Sequence, residues 1–532
     1  MKIYFVGFAI AIFAIFSFGC GSPREYMKIS SLYPDDQRMW EHIFAEGKEG
    51  YEFASAPLGV ILPHHNIVAN ELAKFYEGLS KVADPGVIFI VGPNHYEAGD
   101  ADIQTCKNCL YTTVDGDVEV DENLVDDLAS NGIAGIEDNT FTEEHAVFAH
   151  TSFIKHYFPD AKIVPIVLKW KIPTEKVAGL VKWLNENLPY DGLVIASVDF
   201  SHYIPPEAAD FHDQSSFTTI NNFDLKNVYK LEIDSPSSVY TILDLMKSRG
   251  YGKVERFAHT NAADYQTEPM EESTSHQFIA FYEGDVEPVS GVSVMSFGNL
   301  TSENDLTLLR GWEWDPNYDS NADYTFTKLL RDIRGKEDRF FVGSDFYVFD
   351  LPDNDCLYEE KNGSKIAFCK ILEGSLTATE VRDFMKEKTS NSDLVYMLYQ
   401  FEGGGEIDYD RKLAVRDLIK RGVNIFVGRG LKNVIPFEIY KGSLIFYSLG
   451  DAVKDNKLAT DINATSSGMS IGVYVTEDNY YVYTFPVQIN NGYPKLADAS
   501  KRPTIFEAFI EEASLRRSDE IDSTKGVLKI GR

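Results

Sequence analysis

Between Tyr51 and Asp285 the chain alternates short apolar runs with amphipathic stretches. The runs are "LGVILP", "GVIFIVGP", "AKIVPIVL" and "GLVIASVDF". Between them lie "NELAKFYEGLSKV", "HAVFAHTSFIKHYF" and "TEKVAGLVKWLNENL", whose apolar residues recur three and four positions apart. Period and length make the first set buried strands and the second set helices. Strands alternating with helices predict a mainly parallel sheet covered on both faces. Ligands of such sheets gather beyond the carboxyl ends of the strands.

The residues that follow each run are therefore the ones to inspect. The run to Leu62 is followed by Pro63-His64-His65, the run to Val91 by Gly92-Pro93-Asn94-His95, and the run to Val198 by Asp199-Phe200-Ser201-His202. Three predicted strands thus deliver histidine to one edge, in a chain with only 11 histidines. One such histidine would more often be a surface residue or a satisfied core residue. Several neutral imidazoles meeting a carboxylate suit a divalent metal such as iron, copper or zinc, and two histidines plus one carboxylate with open positions is the pattern of non-haem iron. An imidazole left uncoordinated titrates near neutrality and can serve as acid or base.

Length changes the picture first: 532 residues exceed what one core of ordinary size holds, so two or more domains are expected. A hydrophobic fraction of 44% and a charged fraction of 25% describe globular protein. The balance of 50 basic against 82 acidic residues gives −32, and no Lys/Arg cluster offsets it, which argues against nucleic-acid binding.

The opening "MKIYFVGFAIAIFAIFSFGCGSPREY" carries Lys2, then an apolar run from Ile3 to Phe18 that is short for a membrane span and ends in small residues, as signal segments do. Cys20 after Gly19 resembles the lipobox of bacterial lipoproteins, although Ser17 and Phe18 stand where Leu and a small residue are commoner. The resemblance implies a signal peptide over 1–20, acylation of Cys20, and a lipid anchor on the bacterial cell membrane facing outside the cytoplasm. A plain signal peptide or an anchor helix is the alternative. Export implies an oxidising compartment. There Cys356 and Cys369, flanking the hairpin-like "LYEEKNGSKIAF", read as a disulfide. Cys106 and Cys109 read as a small bridged loop, with a metal or redox site as the alternative.

"LPHHN", "VGPNHYE", "EEHAVFAHTSFIKHYFPDAKIVPIVL" and "ASVDFSHY", in this order, resemble the Memo family, called AmmeMemoRadiSam system protein B in bacteria. The resemblance spans residues 51–287, after a lead-in over 21–50. It implies the fold of the class III extradiol ring-cleaving dioxygenases. Carried over by motif, the family's metal-binding histidines are His64 and His95, with His202 facing the site and Glu144-His145 beside it; His202 and His145 are the candidate catalytic groups. The family's third ligand is a cysteine, which this chain lacks. Aligning "VYTILDLMKSRG" with the helix that follows the family's cysteine places Asp234 at or near that position. Asp234 would also match the carboxylate of the related dioxygenases. The plain alternative is that Asp234 only caps the next helix, and His276 is a second candidate for the vacant place. His65 and His150 read as supporting residues.

From about Pro288 to residue 500, "VSVMSFGNL", "GSKIAFCKI", "SDLVYMLYQFEGG" and "AVRDLIKRGVNIFVGRGLKNVIPFEIYKGSLIFYSLGDAV" are similar to the CapA family of capsule or polyglutamate synthesis proteins, which has a calcineurin-like metallophosphoesterase fold. The family's metal-binding motifs are replaced. Gly-Asp becomes Gly298-Asn299, His-Trp-Gly becomes about Gln400-Phe401, and Gly-x-His-Pro-His becomes Gly428-Arg429-Gly430-Leu431-Lys432. The resemblance implies a shortened, catalytically silent domain, and residues 501–532 read as a tail of one helix and a loose end.

The expected architecture is α/β in two domains: a mainly parallel sheet with flanking helices, then a shortened metallophosphoesterase-like α/β unit. The expected function is an exported Memo-like protein binding a divalent metal, iron before copper or zinc, with redox or oxygen-dependent chemistry on an unidentified small molecule. The alternative is a non-enzymatic protein that binds or scaffolds an envelope protein; polymer processing by the second half is a weaker third reading.

Overall fold

A computed structural model describes residues 26–31, 36–170, 172–296, 339–341, 353–403, 406–451, 466–490 and 493–532. Cys20 with the expected signal peptide, and Gly298-Asn299, lie outside the described residues. Among the described residues no helix is long and apolar enough to cross a membrane.

The elements follow the hydrophobic pattern closely. In the first region the strands are β1 (Gly59–Leu62), β2 (Val87–Pro93), β3 (Ile103–Thr105), β4 (Gly135–Ile136), β5 (Lys162–Leu168), β6 (Gly192–Ser197), β7 (Lys253–Asn261) and β8 (Ser275–Tyr282). The helices are α1 (Gln37–Glu46), α2 (Ala69–Ser80), α3 (Glu122–Ser130), α4 (His145–Tyr157), α5 (Thr174–Asn187), α6 (Pro206–Asn221) and α7 (Pro236–Arg249). The strands form one sheet in the order β7-β8-β1-β6-β2-β5-β3-β4. Its centre, β1-β6-β2-β5, is parallel, while β8 joins β1 and β3 joins β5 antiparallel. The parallel strands are buried almost throughout, which is why they read as unbroken apolar runs.

The two faces carry different helices. Phe89 and Trp183 meet on the α5 side, and a Cβ on Gly59 would touch Met246 and Ile242 of α7 on that same face. On the other face α4 approaches so closely that a Cβ on Gly92 would lie 2.8 Å from Ala146 Cβ and 3.4 Å from Ser197 Cβ. Gly92 thus lets the first turn of α4 rest on the sheet beside the strand ends. The lead-in also belongs to this core, since Trp40, Ile43 and Phe44 of α1 are buried in it. Cys106 and Cys109 are bridged, so their sulfurs are not thiolate ligands.

The second region has its own cores. A six-stranded sheet contains β10 (Asp355–Lys361), β11 (Ser364–Leu372), β12 (Leu394–Gln400), β13 (Ile425–Arg429), β14 (Glu438–Tyr440) and β15 (Ser443–Phe446), in the order β10-β11-β12-β13-β15-β14. The β10–β11 hairpin turns at Asn362-Gly363, both at positive φ, and Cys356–Cys369 bridges it across directly paired positions. A second sheet contains β9 (Val292–Ser296), β16 (Ser466–Val475), β17 (Asn479–Asn490), β18 (Glu520–Asp522) and β19 (Val527–Gly531). The sheets share one apolar core, and α8 (Ala378–Thr389) and α9 (Tyr409–Lys420) cover the other face of the six-stranded sheet. The expected loose end is instead strand: after α10 (Arg502–Ile510), β19 pairs with β17, and Leu528 and Ile530 enter the shared core. Alternating apolar residues in "VLKIG" are the local cause.

Gly92→Ala should lower stability by about 1–3 kcal/mol, the range for forcing a methyl into a filled core; chemical denaturation of the variant beside the parent measures it, and an unchanged midpoint would show that α4 yields freely.

Candidate functional site: a histidine and aspartate cluster at the sheet edge

Because β1, β2 and β6 run parallel, their carboxyl ends deliver His64, His95 and Asp199 to the same place. Backbone N–H groups tie the ends of β1 and β6 to each other and to Asp234. His64 N donates to Asp199 Oδ1 (3.1 Å), Asp199 N donates to Asp234 Oδ2 (3.2 Å), and Asp234 N donates to the Asp199 carbonyl (3.1 Å). Asp234 does not cap α7: Ser235 holds the N-cap position, without a side-chain capping bond. The Asp234 carboxylate lies instead 3.0 Å from His64 Nε2 and 3.8 Å from His95 Nε2.

Hydrogen-bond counting settles the tautomers. Ser197 Oγ donates its single proton to the Ala146 carbonyl (2.7 Å). The two imidazole nitrogens at 3.0 Å from that oxygen, His64 Nδ1 and His150 Nε2, must therefore both donate to it. His150 then accepts from the Tyr76 hydroxyl through Nδ1 (3.1 Å), and burial, with His64 adding to it, pushes its pKa down to about 3, so it stays neutral. With its proton on Nδ1, His64 turns the lone pair of Nε2 toward Asp234, and that nitrogen is buried without a hydrogen-bond partner. His95 is set in the same way by Glu144. This residue N-caps α4 through Ala146 N (2.9 Å), accepts from His95 N (2.8 Å), and accepts from His95 Nδ1 (2.7 Å). Two imidazoles thus present Nε2 to one carboxylate oxygen, an arrangement of donor atoms that suits a divalent cation.

The protonation equilibria agree with that use. Burial, reinforced by His95 and His145, holds His64 well below the usual histidine range. Burial raises Asp199 well above the carboxylate range, with Asp234 adding to the shift. Burial likewise pushes Asp234 up to about 6, although His202 and His95 oppose it. Burial alone would lower His95, but the hydrogen bond and charge of Glu144 leave it raised. Two buried acids facing unpartnered nitrogen are costly without a cation and favourable with one.

Each residue expected from sequence can now be placed. His64, His95 and Asp234 converge, and ligand atoms within 4.8 Å of one another also link His145 to His64 and His95, and Asp199 to His64 and Asp234. His145 stacks on His95 with ring centroids 4.0 Å apart. His202 lines the same cleft, about 360 Å³, with His95, Asp234, Ile233, Pro93 and Trp170. Its Nδ1 donates to the Phe200 carbonyl (2.6 Å), placing the lone pair of the neutral ring on Nε2; burial lowers its pKa against the pull of Asp234. His276 belongs to neither cluster: it sits on β8 with its ring 5.5 Å from that of His65. Sequence reasoning gave Asp199 and Ser197 no role. Both stand in "ASVDFSHY" at the end of β6, so their position was legible but their partners were not.

A family model described as Memo-like protein matches residues 24–275. A MEMO1 family protein of Pyrobaculum arsenaticum is 30% identical over 220 residues, covering 39% of this chain and 77% of its own length. One from Pyrobaculum aerophilum is 30% identical over 239 residues, covering 42% and 83%. This chain belongs to the MEMO1 family. An uncharacterized protein of Escherichia coli K12 of solved structure aligns over 42% of this chain and 98% of its own, with 12% identity and a TM-score of 0.26. The Memo-like match therefore covers the region that bears the cluster and stops before the second region.

Ser197→Ala should weaken divalent-metal binding by about 10–100-fold, the usual effect of removing a group that orients a ligand, as measured by competition with a chelating dye; unchanged affinity would mean that His64 needs no such support. Affinity should also fall as pH drops from about 7.5 to 5, because a cation must displace protons from Asp234 and His95, by about tenfold per pH unit for each proton displaced. A flat profile in the same assay would rule both out as ligands.

Proposed function

We propose that the Memo-like region holds a divalent metal through His64, His95 and Asp234, with iron first and copper or zinc as the other candidates. The observation that carries the reading is the joint aim of two tautomer-set Nε2 atoms at Asp234 Oδ2, at 3.0 and 3.8 Å. Two histidines and one carboxylate are the donor set of non-haem iron sites. Bound there, the metal would supply redox or oxygen-dependent chemistry. The residues of this chain bind and orient. Pro93, Ile233 and Trp170 give a small molecule apolar walls in the cleft, while Nε2 of His202 is placed to take a proton from it or return one. His145, stacked on His95, is a second proton-transfer group.

The second region is read as a catalytically silent CapA-like domain. All 11 histidines precede residue 288, and the neighbouring carboxyl ends of β12 and β13 carry Gln400 and Arg429 in register. That composition also favours a binding or scaffolding role toward an envelope protein for this half. The lipobox-like Cys20 supports export and lipid anchoring of the whole chain, under the bacterial AmmeMemoRadiSam system protein B type of Memo protein.

Metal analysis of the purified protein lacking residues 1–20 tests the main reading. The parent should carry a divalent metal, and His64→Ala, His95→Ala and Asp234→Ala should each lose most of it while keeping the parental circular dichroism. Metal absent from the parent, or retained in all three variants, would overturn the assignment.

A further inference from the structure

Helix α6 begins four residues after His202, and it is buried on nearly every side even though its sequence, "PEAADFHDQSSFTTIN", is largely polar. The second region covers it. Phe211 packs against Tyr483 with ring centroids 5.4 Å apart, Gln214 donates to the Tyr483 hydroxyl (3.1 Å), Ser215 meets Ser293 (2.6 Å), and Thr218 meets the Tyr474 hydroxyl (2.5 Å). Two cations of the second region reach further. Lys525 Nζ lies 3.2 Å from Asp210 and 2.8 Å from Asp264. Arg502 lies 3.2 Å from Glu207 and 2.5 Å from Glu271, and the neighbouring Ala499 N also donates to Glu271 (2.7 Å).

Each cation joins the same two elements. Glu207 and Asp210 belong to α6, whereas Asp264 and Glu271 belong to the connection between β7 and β8. The loop that carries His202 is strung between those elements. Phe200 N donates to the Ser275 carbonyl (2.9 Å), Ser275 N to the Ser201 carbonyl (2.9 Å), and Ser273 N to the Ile204 carbonyl (2.7 Å). Tyr203, next to His202, holds φ +54°. A non-glycine residue keeps that conformation only where its surroundings impose it.

We infer that the second region sets the position of His202: Lys525 and Arg502 are positioning residues that clamp α6 to the β7–β8 connection and so hold the His202 loop between them. The inference rests on reading His202 as the proton-transfer group of the cleft, and it gives the histidine-free half of the chain a part in the site. Relatives matched only over the Memo-like region would have to hold the equivalent loop by other means.

The test uses metal-free protein, so it stands apart from the metal assignment. Lys525→Met and Arg502→Met are compared with the parent for the rate at which diethyl pyrocarbonate modifies His202 and for amide exchange in residues 200–204 and 262–275. Losing one partner of a buried charge pair should raise both rates by about tenfold or more. The rate at His156, in the last turn of α4, should stay parental, and Lys525→Arg should keep His202 near the parental rate. Folded variants with parental His202 rates would overturn the clamp, and so would equal rises at His202 and His156. If both methionine variants fail to fold, Glu271→Gln decides: its carboxylate is 57% exposed, and it should raise the same His202 rate several-fold if the clamp is real and leave it unchanged if not.

Discussion

The single proton of the Ser197 hydroxyl governs the cluster. Once it goes to the Ala146 carbonyl, two imidazoles must donate to the same oxygen, and His64 is left with a bare nitrogen directed at Asp234. That contact also ties β6 to the first turn of α4, the turn whose cap, Glu144, sets the tautomer of His95. Strand ends, helix start and histidine tautomers thus form one connected hydrogen-bond network. It tolerates little displacement, since a buried imidazole N–H left without an acceptor carries its full desolvation cost.

Charge enters the network in a similarly restricted way. Asp199 and Asp234 are buried side by side, and burial raises both of them. Hydrogen bonds from the His64 and Asp199 backbone N–H groups offset only part of that cost. A cation among these acids and the two Nε2 atoms would balance the rest. A few residues away the solution differs: the acids of α6 are matched by Lys525 and Arg502 from the second region. The second half of the protein therefore supplies cations to the outer acids, and the inner acids have only the imidazoles and backbone N–H groups around them.

Much of the fold was legible because its pattern is local. The four parallel strands were readable as apolar runs, and α2, α4 and α5 as amphipathic stretches between them; α7 was placed by the resemblance to the Memo family. The histidines after "VIL", "VGP" and "VDF" could be assigned to one edge from the topology rule alone. The strand at "VLKIG" was missed because five residues of alternation at a chain end resemble a tail until a partner strand is known. Helix α6 was missed for the opposite reason. It has no apolar stripe, because the side that would face water meets the second region, and its acids are satisfied by residues some three hundred positions later in the chain.

The sequence by itself determined the four parallel strands, that the residues after three of them include His64, His95 and His202, and that Asp234 stands near the place of a missing cysteine. Periodicity and strand direction suffice for the strands and their histidines, since each is set by neighbours in the chain, whereas the place of Asp234 came from the resemblance to the Memo family. Only the tertiary structure decided that Asp234 faces His64 and does not cap α7, that His276 stays outside the cluster, and which nitrogen His64 and His95 turn toward Asp234. Those outcomes depend on hydrogen bonds among groups separated by tens to hundreds of residues, and spacing along the chain carries no record of the direction in which such bonds point.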